Sequence, residues 1–157
     1  MSKKIFLKKE GNVKLREGIN LLADAVSSTL GYGGKTVIIS PGYGHMPITT
    51  KDGVTVAKSI FLEDEVQNTG AFLIRGAAAK TVDDCGDGTT TSTVLAQSMI
   101  NEGLDALGSA GTNPQRLKVG MEKAVNAIVE RLKEKAIPVS GSMIRSVATI
   151  SANNDSE

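Results

Sequence analysis

The segment from Asp64 to about Asp84 reads as a helix built on small side chains, with Gly70, Ala71, Gly76, Ala77, Ala78 and Ala79 along it. Each interior glycine costs roughly 1 kcal/mol of helix propensity. Two of them in one helix imply that a neighbouring backbone comes close. The materials available for a core agree, because aromatic residues make up 3% of the chain and Trp is absent. Leu, Ile, Val, Met and Ala must fill the interior, which favours close-packed helices. The expected fold is mainly α, multihelical, with a small β-hairpin.

The remaining elements follow from periodicity and punctuation. A short strand is expected at Lys4 to Leu7. Asn12 can cap a helix whose apolar positions Leu15, Ile19, Leu22, Val26 and Leu30 share one face, with Gly31 as an αL-compatible stop. The β-branched run "TVII" and the stretch "ITTKDG" read as short strands separated by a loop rich in Gly and Pro. Val54 to Ile60 fits a brief helix or a strand. A helix from Thr89 to about Leu107 carries Leu95, Met99, Ile100, Leu104 and Leu107 on one half, and Gln97, Ser98 and Asn101 on the other; it is expected to be central. Asn113 and Pro114 have the cap and first-position chemistry of another helix, striped by Leu117, Met121, Val125, Ile128 and Leu132. A last amphipathic helix is expected over Ser142 to Ile150.

Composition excludes several function classes. The 18 Lys and Arg nearly balance the 17 Asp and Glu, so net charge recruits neither nucleic acid nor an acidic membrane surface. The basic start "MSKKIFLKK" encloses only Ile5, Phe6 and Leu7, short of the roughly 7–15 apolar residues of a signal-peptide core. No apolar run approaches the roughly 20 residues of a membrane span. The expected setting is cytoplasmic. A single cysteine, Cys85, excludes a disulfide framework and reads as a small buried residue, and the single His45 disfavours zinc. Tyr32, Tyr43 and His45 read as loop residues. A metal, if held, needs oxygen ligands, as magnesium or calcium does.

The stretch "GDGTTTSTVLAQSM" places Asp87 between two glycines at a helix start. Helix N-termini attract anions through unpaired N–H groups and the helix dipole. Gly86 and Gly88 admit close backbone approach, and Thr89, Thr90 and Thr91 add hydroxyl donors. An acid facing the same phosphate repels it unless a cation lies between, so Asp87 makes sense as a magnesium ligand. The spacing is not that of a Walker A loop, which needs a Lys after its second glycine. Taken alone, the same stretch reads more simply as capping by Asp87 or Thr89. "TLGYGGK" and "TTKDGVTVA" add a glycine-rich turn at a helix end and a Lys51–Asp52 turn, each of which has a purely structural reading as well.

Taken together, the loops TLG, KDG and GDGTTT in this order, with "LREGINLLADAV", "NTGAFLIRGAAAKT", "TVLAQSMINEGL", "NPQRLKVGMEKAV" and "TISANND", resemble the group I chaperonins, the GroEL family. The likeness runs from about residue 10 to the end and covers only the first part of a subunit. It implies a truncated chaperonin equatorial-domain-like fold. Residues 1–134 would be the N-terminal half of the equatorial, ATP-binding domain, and 135–157 the start of the intermediate domain. The apical domain and the C-terminal equatorial half lie outside the sequence.

The resemblance also implies roles for individual residues. Asp87 would coordinate magnesium, and Gly88, Thr89, Thr90 and Thr91 would hold phosphates. Thr29, Leu30 and Gly31 would line the nucleotide, Lys51 would contact phosphate, and Asp52 would orient the attacking water. Where the family carries Pro then Lys after TLG, this chain has Tyr32 and Gly33. Tyr32 can stack on a base, but the loop loses the rigidity of Pro and one positive charge.

The implied function is that of an ATP-dependent protein-folding chaperone subunit using ATP and Mg2+. It would act in a homo-oligomeric ring, heptameric and doubled, with unfolded proteins and a co-chaperonin bound through regions absent here. Part of the catalytic site is also absent. The alternative is a non-catalytic module that joins or modulates a full-length chaperonin. No nucleic-acid or membrane partner is expected.

Overall fold

The computed structural model describes residue 5, residues 8–109 and residues 111–152, with positions 8 and 9 described by backbone alone. In chain order the elements are α1 (Lys8–Ser27), β1 (Val37–Ile39), β2 (Ile48–Thr50), α2 (Gly53–Ser59), α3 (Glu65–Cys85), α4 (Thr89–Gly108), α5 (Pro114–Lys135) and α6 (Ser142–Ser151). The mainly α fold with a small hairpin is therefore present. β1 and β2 pair antiparallel, with Val37 opposite Thr50 and Ile39 opposite Ile48. The strand expected at 4–7 lies outside the described residues apart from Ile5, which is in no regular element.

Helices α1 and α3 meet where neither carries a side chain. A Cβ on Gly70 would lie 2.2 Å from the Leu15 carbonyl oxygen, and one on Gly18 would lie 1.8 Å from the Gln67 carbonyl oxygen. The close backbone approach expected of α3 is thus made at Gly70, and α1 reciprocates it with a glycine of its own. Gly76 has open space around it and takes no part. Around the crossing Ile19, Leu22, Ala23 and Val26 of α1, Val56 and Ala57 of α2, and Ala71, Ile74 and Ala78 of α3 form one apolar cluster. Each of these nine is 3% exposed or less.

Caps fix the ends. Asp64 accepts the Val66 N–H at 2.9 Å and the Gln67 N–H at 3.1 Å, starting α3. Its other oxygen takes a 2.6 Å bond from Lys14 Nζ, tying that start to α1. Asn113 caps α5 through the N–H groups of Gln115 and Arg116, with Pro114 in the first turn as expected. Asn12, by contrast, lies inside α1, which begins at Lys8. An Asn caps only where the chain before it leaves helical geometry, and here it does not. At the other end α1 stops at Ser27, short of Leu30. The hydroxyls of Ser27, Ser28 and Thr29 bond back to the carbonyls of Asp24, Ala25 and Val26, competing with helix continuation.

The expectation of a central α4 is not met. It buries Thr89 and Thr93, while Ala96 and Ile100 rest partly on the core and Leu95 and Met99 are exposed. The half carrying Gln97 and Asn101 faces α1 instead. Gln97 donates to Asn20 at 3.1 Å and to Asp24 at 2.8 Å, Asn101 donates to Asn20 at 2.9 Å, and Arg16 donates to Asn101 at 2.9 Å. Amides on both helices satisfy one another, so of the apolar half only the edge at Ala96 and Ile100 reaches the core. Cys85 is exposed, correcting the buried reading; it is the last residue of α3, directly before the left-handed cap Gly86 at φ +77°.

By packing the chain divides into two compact units, Met1–Asn101 and Glu102–Glu157. The core above belongs to the first. In the second, α5 and α6 bury none of their described residues.

Two outcomes follow for stability. Gly18→Ala and Gly70→Ala should each cost about 3 kcal/mol, because a methyl group meets a fixed carbonyl rather than a movable side chain. Gly76→Ala should instead stabilise by about 1 kcal/mol; urea unfolding of the three variants tests the contrast. The second concerns pH. The bond from Lys14, and then the Gln67 and Val66 N–H groups, hold the Asp64 carboxyl below its usual pKa, and Asp64 raises the pKa of Lys14. Stability from the pair is complete above the usual carboxylate range and below the usual ammonium range. It is lost as pH falls through the lowered pKa of Asp64, or rises through the raised pKa of Lys14. Lys14→Met should therefore lower the thermal midpoint at neutral pH, with the gap to wild type narrowing in acid.

Candidate functional site

Three helix ends converge. The first is the start of α4. Gly88, at φ +85°, occupies the cap position, its carbonyl accepting the Ser92 N–H at 2.9 Å. Asp87 stands one residue before it and accepts the Gly88 N–H at 2.6 Å, while Thr89 is already helical. Neither side chain offered by the capping reading holds the cap position. Thr89 is buried, with its carbonyl accepting the hydroxyls of Ser92 and Thr93. Asp87 and Thr91 are exposed.

The second end is the turn that follows α1. Thr29 is buried, and its hydroxyl lies 3.1 Å from that of Thr90. The loop closes on itself, with the Gly34 N–H donating to Gly31 at 2.9 Å and the Lys35 N–H donating to Ser28 at 2.8 Å. A Cβ on Gly34 would sit 2.3 Å from the Thr29 carbonyl oxygen, and Gly31 has φ +70°. These two glycines carry the turn. Gly33 stands in open space and Tyr32 is fully exposed, so the two departures from the family pattern fall at the tip. Tyr43 and His45 are exposed loop residues, as expected.

The third end is the start of α2, which makes Val54–Ser59 helical and leaves Ile60 extended just beyond it. Asp52 accepts the Val54 N–H at 3.3 Å, the Thr55 N–H at 2.9 Å and the Thr55 hydroxyl at 2.5 Å. Its own N–H donates to the Thr50 hydroxyl at 3.0 Å. Beside it Gly53 is pressed onto α4, where a Cβ would lie 2.3 Å from Thr90 Oγ1 and 3.1 Å from Thr89 Oγ1.

Thr29, Gly53, Thr89 and Thr90 are thus brought into contact. Leu30, Gly31, Tyr32, Lys51, Asp87 and Thr91 stand exposed on the three segments that this contact joins. Gly53 was not among the expected site residues, although the KDG motif contains it. Its role depends on a neighbour that the motif does not reveal. A groove of about 610 Å³ on α5, lined in part by Leu117, Met121 and Val125, includes none of these residues.

The sequence profile of the TCP-1/cpn60 chaperonin family matches residues 22–157. The chain belongs to this family.

Solved chaperonins share its fold. It is similar to chaperonin gp146 from the bacteriophage EL 2 (Pseudomonas aeruginosa), crystallised in the presence of ATP-BeFx. One crystal form gives 33% identity and a TM-score of 0.74, covering 94% of this chain and 26% of that one. A second form gives 31% and 0.68, covering 93% and 28%. A group III chaperonin in the open state has a TM-score of 0.75 at 24% identity, over 94% of this chain and 29% of the other, which shows a common fold. The chain therefore spans less than a third of the length of the chaperonins it matches.

In this chaperonin chain the α2 cap can be separated from any role of the Asp52 charge. Asp52→Ala should destabilise by about 1 kcal/mol, whereas Asp52→Asn keeps an acceptor and should cost a few tenths at most. Denaturant unfolding of both variants checks the difference.

Proposed function

We propose that this chain is the nucleotide-holding N-terminal part of an ATP-dependent protein-folding chaperonin subunit. Residues 1–134 are read as equatorial and 135–157 as the start of the intermediate domain. The observation that carries the reading is the convergence of the TLG turn, the KDG turn and the GDGTTT helix start, sealed by the Thr29–Thr90 hydroxyl contact and by Gly53 on α4.

The residues present fit Mg-ATP. The start of α4 offers N–H donors at the positive end of its dipole, next to the Thr90 and Thr91 hydroxyls. Among the described residues no three acidic, His or Cys side chains cluster to hold a metal alone. Asp87 would accordingly share magnesium with phosphate oxygens. Lys51 would add positive charge, and Thr29, Leu30, Gly31 and Tyr32 would border the nucleoside. Bound magnesium would neutralise charge developing on the phosphoryl oxygens. Asp52 spends acceptor capacity on capping α2, but a carboxylate has about four lone-pair sites, so it can still orient a water.

Ring assembly, heptameric and doubled, and binding of unfolded proteins and a co-chaperonin belong to the same reading and use sequence beyond these residues. No described helix is long and apolar enough to cross a membrane, and the proposed setting is cytoplasmic. A second reading, a non-catalytic module that joins a full-length chaperonin, is favoured by the exposed apolar residues of α5 and α6, among them Ile128, Leu132, Ile144 and Ile150.

Calorimetric titration with ATP, with and without magnesium, tests the first reading. Binding should depend on magnesium and weaken by at least about tenfold in Asp87→Ala, with negligible turnover, because the water-positioning and electrostatic groups of such sites act together. Affinity retained in Asp87→Ala would return Asp87 to a structural role. A folded chain that binds no Mg-ATP would mean either that the site needs the rest of a subunit or that the chain is the interaction module.

A further inference from the structure

Helix α2 has seven residues and is too short to hold itself together. Asp52 completes its first turn, and the Ser59 hydroxyl donates to the Val56 carbonyl at 2.8 Å, but the later carbonyls have no backbone N–H within the helix. Arg75, from the middle of α3, supplies donors to one of these carbonyls, that of Ala57, and to the carbonyl of the C-cap residue Ile60. Its Nε donates to the Ala57 carbonyl at 3.0 Å, and a terminal nitrogen donates to the Ile60 carbonyl. The guanidinium carbon lies 4.7 Å from the Phe61 ring centroid. One planar cation therefore caps α2 from another helix, at the negative end of the α2 dipole.

The opposite end of α2, roughly 10 Å away at 1.5 Å per residue, carries Asp52 and Gly53. Gly53 has no room for even a methyl group against Thr89 and Thr90, so axial slippage of α2 reaches the first turn of α4. We infer that Arg75 is a positioning residue for the nucleotide site, setting the height of α2 and through it the alignment of the KDG turn with the GDGTTT helix start. The inference rests on the proposed nucleotide reading for its ligand, and on the α2–α4 contact alone for its mechanics.

The test compares Arg75→Met, Arg75→Lys and Lys14→Met with wild type in the full 157-residue chain. Lys14→Met serves as a control, since it loosens the Asp64 end of α3 without touching α2. Each protein is titrated with Mg-ATP, and amide hydrogen exchange is followed at Val56 in α2 and at Ser92 in the first turn of α4. Arg75→Met should weaken Mg-ATP by about tenfold and speed exchange at both amides, as loss of two charge-assisted bonds implies. Arg75→Lys should fall between, keeping the charge but not the fork. Lys14→Met should leave affinity and Ser92 exchange near wild type. Should Arg75→Met not fold, Arg75→Lys and Phe61→Leu carry the comparison. Wild type failing to bind Mg-ATP would remove the nucleotide reading for the isolated chain, while faster Ser92 exchange in Arg75→Met would still support the mechanical link. Ser92 exchange in the Arg75 variants no faster than in Lys14→Met would overturn the inference whatever the nucleotide does.

Discussion

Two glycines against two carbonyl oxygens hold the first unit in its shape. With Gly18 on Gln67 and Gly70 on Leu15, α1 and α3 touch through their backbones, and the space left around the crossing is small. That is why Ala23, Ala71 and Ala78 suffice as core residues alongside Leu22 and Ile74, and why a chain without Trp still encloses an apolar interior. Packing at van der Waals distance supplies the cohesion that large rings supply elsewhere.

Everything chemical in this unit is attached to the ends of helices ordered by that crossing. The turn after α1 brings Thr29, the start of α2 brings Asp52 and Gly53, and the start of α4, directly after α3, brings Asp87 to Thr91. Helix ends are where backbone N–H groups and carbonyls lack partners, so polar residues gather there for structural reasons alone. Two N-termini directed to one locality make a further demand, because their positive ends favour anions. Asp52 meets part of that demand for α2 within the protein. At α4 the cap position holds a glycine, and the acid one residue earlier is exposed.

Features written in local chemistry were legible in the sequence. Asp64 before α3 and Asn113–Pro114 before α5 work as their residue types require, and the order of the three loops identified the family. Features that depend on a neighbour were not. The stripe of α4 is real, but a stripe does not say what it faces, and the paired amides of Asn20, Gln97 and Asn101 turned the other half toward α1. Gly76 and Gly70 look alike in the sequence; only Gly70 has a backbone against it. Asn12 has cap chemistry but no helix end to cap. Cys85 has the chemistry of a buried residue, at the place where its helix leaves the core.

The sequence by itself determined the helical class, most helix starts and the family to which the chain belongs. Those properties follow from side-chain type, from spacing over one or two turns and from the order of short motifs along the chain. Only the tertiary structure decided that Gly18 answers Gly70, that Arg75 closes α2, and that Thr29 meets Thr90 across 61 residues of chain. Such contacts depend on which helices cross and at what height. That is set by the fit of whole surfaces, and no local pattern encodes it.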